Sequence, residues 1–124
     1  MTPSLTLVLL VDDDPDQLYL RGRLFELQGY RVATARSAQE ALAAFTAQPA
    51  ALVLMDLRLP GFDDGRSLIR SLKALSPHVR IVVLSGCADE LAEAPEARLV
   101  EECLRKPVRS EILFRTIKRV ANGA

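Results

Sequence analysis

Short apolar runs alternate along this chain with longer stretches that are apolar on one face only. Leu7-Val8-Leu9-Leu10-Val11 is followed by Asp12, Asp13 and Asp14. Leu52-Val53-Leu54-Met55 ends in Asp56, and Ile81-Val82-Val83-Leu84 ends in Ser85. A weaker run over residues 99–104 leads to Lys106-Pro107. Continuous apolar runs of this length suit strands covered on both faces, as in parallel sheets. The pattern predicts strands over about 5–11, 30–35, 51–55 and 79–84, and a fifth in the last residues of 99–104.

The intervening stretches predict helices. Asp14 caps the first, with Pro15 at its first position. This helix reaches about Gln28, burying Leu18, Leu24, Phe25 and Leu27, and Gly29 stops it. Ser37 and Glu40 form a capping box for the second, whose apolar face is Ala41, Leu42 and Phe45. Pro60 and Gly61 make residues 57–64 a loop. The third helix carries Leu68, Ile69 and Leu72. Residues 88–98 are interrupted by Pro95 and predict only a short or irregular fourth helix. The last helix starts near Ser110, carries Ile112, Leu113, Ile117 and Val120, and ends at Asn122-Gly123.

Five strand–helix units with right-handed crossovers give an α/β fold, a doubly wound parallel sheet with helices on both faces. Ligand sites in such folds lie at the C-terminal ends of the strands. The acids, Ser85 and Lys106 all fall at such ends.

The length of 124 residues suits one domain spanning 1–124. The chain is 49% hydrophobic, enough for a core on each side of a sheet. Its formal net charge of zero gives no reason to expect direct nucleic acid binding. Lys106 is one of three lysines, so its place beside the acids carries weight. Cys87 and Cys103 lack metal-ligand spacing and read as reduced thiols. The first apolar run is too short to span a membrane, and no basic segment precedes it as in a signal peptide. The expected location is cytoplasmic.

Carboxylates gathered at one sheet edge repel. Two charges about 4 Å apart cost about 4 kcal/mol at an effective dielectric near 20. A divalent cation relieves this, and magnesium needs only one or two carboxylates because it keeps several waters. Asp56, alone at its strand tip, is the natural nucleophile, able to form an acyl phosphate. Lys106 supplies a point charge and Ser85 a hydrogen bond to phosphoryl oxygens. Each signal alone has a bland reading, as cap, structural hydroxyl or surface lysine. Their joint occurrence at strand ends points to phosphoryl chemistry.

From Leu5 to Val120 the chain resembles the receiver domains of two-component response regulators. The matching segments are Leu9-Leu10-Val11-Asp12-Asp13-Asp14-Pro15, Gly29-Tyr30-Arg31-Val32, Glu40-Ala41-Leu42, Leu54-Met55-Asp56-Leu57-Arg58-Leu59-Pro60-Gly61, Val83-Leu84-Ser85-Gly86 and Lys106-Pro107. The resemblance implies a flavodoxin-like sheet of order 2-1-3-4-5. It makes Asp56 the phosphoacceptor, Ser85 the switch hydroxyl and Lys106 the family's lysine, with a cis Lys106–Pro107 bond. It places Mg2+ on Asp12, Asp13, Asp56 and the backbone carbonyl of Arg58, with Asp13 a direct ligand and Asp12 acting partly through water.

The resemblance also implies a phosphorelay role. A sensor histidine kinase or histidine phosphotransfer protein would phosphorylate Asp56, and the change would switch contacts with a downstream protein target or output domain. Such a module is a phosphoacceptor that assists its own phosphorylation and dephosphorylation, not a turnover enzyme. The 124 residues show no output function of their own. Met1 favours an N-terminal receiver, whether stand-alone or part of a longer chain.

Two alternatives remain open at this point. One is a degenerate receiver acting as a phosphorylation-independent adaptor. The other is an aspartate-nucleophile phosphatase, which would want a second aspartate where Arg58 stands. The intact Asp13, Asp56, Ser85 and Lys106 argue against the first, while Cys103, at the usual aromatic switch position, keeps it alive. The Gly-Ala usual before the fifth strand is missing and Pro95 falls in the fourth-helix region, departures on a face that commonly binds partners. The loop Phe62-Asp63-Asp64-Gly65 looks one residue longer than the family's common Met-Asp-Gly form. Arg58 and Cys87 are placed to alter phosphoryl lifetime. His78 reads as a surface turn residue.

Overall fold

The computed structural model describes residues 6–59, 65–86, 91–92 and 94–122. Five strands form one parallel sheet: β1 (Leu7–Val11), β2 (Arg31–Ala35), β3 (Leu52–Asp56), β4 (Arg80–Ser85) and β5 (Glu102–Arg105). Their order is β2-β1-β3-β4-β5. The helices are α1 (Pro15–Leu27), α2 (Ala38–Ala47), α3 (Gly65–Leu75) and α4 (Ser110–Ala121), with a short 3-10 helix over Pro95–Leu99. The predicted fold class and strand order are those observed.

Side chains alternate across a strand, so each central strand feeds two cores. Leu9, Val11, Val53, Met55 and Val83 face α2 and α3, packing with Phe45, Ile69 and Leu72. Val8, Leu10, Leu52, Leu54, Val82 and Leu84 face α1 and α4, packing with Leu18, Phe25, Leu113 and Ile117. Burying one such side chain is worth about 1.5–3 kcal/mol. Two filled faces explain why these strands read as unbroken apolar runs.

The caps follow local chemistry. Asp14 accepts hydrogen bonds from the Asp16 and Gln17 amides at the start of α1. Gly29, just past α1, has φ +96°, a conformation that a side chain disfavours. Ser37 Oγ accepts from the Glu40 amide at 3.1 Å, while the Glu40 carboxylate returns to the Arg36 amide rather than to that of Ser37.

Leu27 corrects the expected face of α1: it is 77% exposed. Leu18 and Phe25, seven residues apart, point inward, and Leu27 lies about 200° around the helix from Phe25. The irregular segment expected near Pro95 is the 3-10 helix, which Pro95 itself opens. His78 is an exposed turn residue, as expected. Residues 60–64, Cys87 and Gly123, named in the sequence reading, lie outside the described residues.

Candidate functional site

Because all five strands run the same way, their C-terminal ends meet at one sheet edge. β1 ends at Val11, and the Asp12 amide still donates to the Ala35 carbonyl at the end of β2 (3.1 Å). β3 closes on Asp56 itself, and β4 on Ser85. The ladder then continues past both: the Leu57 amide donates to the Leu84 carbonyl (3.0 Å) and the Lys106 amide to the Ser85 carbonyl (2.8 Å). These backbone bonds fix the heights of Asp56, Ser85 and Lys106 relative to one another.

Asp12, Asp13, Asp56 and Lys106 line one cleft. One carboxylate oxygen from each of Asp12, Asp13 and Asp56 lies within 4.8 Å of the other two. Asp12 and Asp56 are buried while Asp13 is exposed. Lys106 Nζ stands 2.7 Å from Asp56 Oδ1, with the lysine side chain 43% exposed. At that distance the half-exposed ammonium and the buried carboxylate form a close ion pair. Burial raises the Asp56 carboxyl above the ordinary carboxylate range. The Lys106 ammonium works against this and the nearby Asp12 charge adds to it.

Ser85 is buried at the end of the neighbouring strand, joined to Lys106 through the backbone. Arg58 follows two residues after Asp56 with its side chain exposed. The Lys106–Pro107 peptide is cis, as expected. Cys103 is half-buried opposite Val83 and packs against the α2–α3 core. Gly65 opens α3 rather than lying in the preceding loop, and its amide donates to the Leu57 carbonyl at 2.9 Å. A Cβ there would sit 2.2 Å from that oxygen, so the close approach requires glycine.

The donor set suits a hard divalent cation. Three carboxylates converge, carrying more negative charge than Lys106 and Arg21 beside them offset. Oxygen-only ligation of this kind favours magnesium over softer metals.

Arg21 escaped the sequence reading. Its Nη1 lies 3.2 Å from Asp12 Oδ2. Its distance of nine residues from Asp12 gives no motif. The available signal was its position four after Gln17 on α1, which puts both residues on the helix face that lines the cleft.

The family model for the response regulator receiver domain matches residues 8–118. The nitrogen assimilation regulatory protein NtrX of Azorhizobium caulinodans is 35% identical over 108 residues, 86% of this chain and 24% of that protein. The C4-dicarboxylate transport transcriptional regulatory protein DctD of Rhizobium meliloti is 39% identical over 82 residues, 66% of this chain and 18% of that protein. The chain thus spans a quarter or less of the length of these two relatives. A response regulator receiver domain protein from Clostridium thermocellum superposes with a TM-score of 0.85 at 32% identity, covering 96% of each chain. The polar strand ends, the order of the sheet and these likenesses lead to one assignment: the chain belongs to the receiver domain family of two-component response regulators.

Proposed function

We propose that this receiver accepts a phosphoryl group on Asp56 from the phosphohistidine of a sensor histidine kinase or histidine phosphotransfer protein. The observation that carries this is the buried Asp56 carboxylate, paired with Lys106 and flanked by Asp12 and Asp13 at the open sheet edge. In the transfer, an Asp56 oxygen forms a bond to phosphorus as the donor's P–N bond breaks, and the electron pair leaves with the imidazole. Asp56 is thus a nucleophile held in place by β3.

Lys106 is placed to follow charge from the carboxylate to a phosphoryl oxygen. Ser85 is the hydroxyl for a second oxygen. Asp13 and Asp56, with the Arg58 carbonyl, would hold Mg2+, and Asp12 would act partly through water. Bound there, the cation offsets the charge of the transferring group. The module assists its own phosphorylation and dephosphorylation and is not a turnover enzyme.

Phosphorylation then biases contacts with a downstream protein or output domain, in the cytoplasm and without direct contact to nucleic acid or membrane. No helix among the described residues is long and apolar enough to cross a membrane.

The test is intact mass after incubation with a small acyl phosphate and MgCl2, beside an Asp56→Asn variant. The expected result is a magnesium-dependent gain of one phosphoryl group that the variant lacks. A folded protein that gains nothing from a donor active on another receiver would overturn the reading. It would favour instead a phosphorylation-independent adaptor, the reading that Cys103 at the usual aromatic position keeps open.

A further inference from the structure

We propose that Arg21 is a positioning residue that keeps Asp12 out of the inner coordination sphere of the cation and so biases the cleft toward magnesium over calcium. The inference rests on the magnesium reading above. Both Asp12 oxygens are already engaged by the chain. Oδ1 accepts the Asp14 amide at 2.9 Å, and Oδ2 accepts Arg21 Nη1 at 3.2 Å. The pair is sheltered, with the Asp12 side chain 6% exposed and that of Arg21 16% exposed. Arg21 is itself steadied from the same helix, its Nη2 lying 3.5 Å from Gln17 Oε1.

The other two acids are differently placed. Asp13 is exposed, and Asp56 Oδ1 is paired with Lys106, whose side chain is 43% exposed. A cation entering the cleft therefore finds Asp13 open and Asp56 paired with a half-exposed ammonium, whereas Asp12 is bound on both oxygens, one of them by a sheltered guanidinium. To ligate directly, Asp12 must give up an ion pair in a partly dry setting, where charge-assisted hydrogen bonds are strongest.

This difference bears unequally on two cations. Magnesium is small, octahedral and retains several waters, so it is satisfied by two carboxylates with a third reached through water. Calcium takes six to eight oxygens at longer distances and gains from each added carboxylate. Holding Asp12 back costs magnesium little and deprives calcium of a ligand. Removing Arg21 also removes a positive charge near the cation, which strengthens binding of both ions. The selective part of its effect is the release of Asp12 Oδ2.

The test measures dissociation constants for Mg2+ and Ca2+ by amide NMR titration of the wild type, Arg21→Ala and Arg21→Lys, with melting curves to establish folding. In Arg21→Ala the Ca2+ constant is expected to fall about tenfold more than the Mg2+ constant. Arg21→Lys, able to donate to the same oxygen, is expected to restore most of the wild-type ratio. A Ca2+/Mg2+ ratio unchanged in Arg21→Ala would overturn the proposal while leaving the metal site intact. A wild type that responds to neither ion would overturn the metal reading itself and this inference with it.

Discussion

Lys106 Nζ and Asp56 Oδ1 stand 2.7 Å apart although they come from strand ends separated by β4 in the sheet. The contact spans that gap because the Lys106 amide is anchored on the Ser85 carbonyl and the Leu57 amide on that of Leu84. The ammonium is half in solvent while the carboxylate is buried. The two members of the pair therefore have unequal stakes in it, and substitutions at the two positions should have different consequences.

Replacing Lys106 with alanine should slow phosphoryl uptake on the order of a hundredfold, the usual effect of removing one charge-stabilising donor. Loss of the lysine also leaves the buried Asp56 carboxylate without its ammonium, which should lower stability at neutral pH by about 1–3 kcal/mol. Time courses of intact mass, together with a melting curve, separate these effects. An unaltered uptake rate would remove Lys106 from the transfer.

Asp56 should cost the metal-free protein stability at neutral pH. Its folded-state carboxyl is raised by burial and by Asp12, with Lys106 opposing. A raised acid favours the folded state below its unfolded value, near 4, and that benefit is lost as pH rises through the folded value. Without magnesium, Asp56→Asn should therefore melt higher than the wild type at pH 7, with a gap that shrinks toward pH 4. At about 4 °C per kcal/mol the difference is readable by calorimetry. A variant that melts lower at pH 7 would contradict the shift.

Gly65→Ala should destabilise the domain and slow phosphorylation together. The added methyl would collide with the Leu57 carbonyl, which is backbone and cannot rotate away. Forcing such an overlap costs about 1–3 kcal/mol. Leu57 adjoins Asp56, so the displacement reaches the nucleophile. Melting and uptake measured on one preparation test the linkage; a loss of stability with an unchanged uptake rate would break it.

Arg70 on α3 and Glu96 on the 3-10 helix form an ion pair in which the glutamate is buried. The Arg70 hydrogen bond holds the Glu96 carboxyl below its usual range. Stability from such a group is present above the ordinary carboxylate value and lost as pH falls through the lowered one. Arg70→Gln should shift that loss to higher pH and speed amide exchange across residues 95–99. Phosphoryl uptake should stay within about twofold, since neither residue lines the acidic cleft. Exchange mass spectrometry at pH 7 and pH 4 reads the first effect. Unchanged protection of 95–99 would show that other contacts hold the segment.

What the sequence determined was whatever depends on neighbours along the chain. Apolar runs covered on both faces must be central strands, and Asp14 and Ser37 cap helices because their side chains reach amides two or three residues ahead. The polar residues ending the runs at Asp12, Asp56 and Ser85 became a site once the strands were parallel, a consequence of the alternating pattern. The tertiary structure decided what depends on register and on helix rotation. Leu27 is apolar yet faces solvent, because α1 is turned to bury Leu18 and Phe25 instead. Arg21 binds Asp12, and Arg70 binds Glu96, across packing angles that no local spacing encodes. The Lys106–Asp56 pair likewise joins two strand ends with β4 between them, a contact that only the order of the sheet creates. Propensity acts over a few residues, whereas partnership between charges is set by the whole sheet.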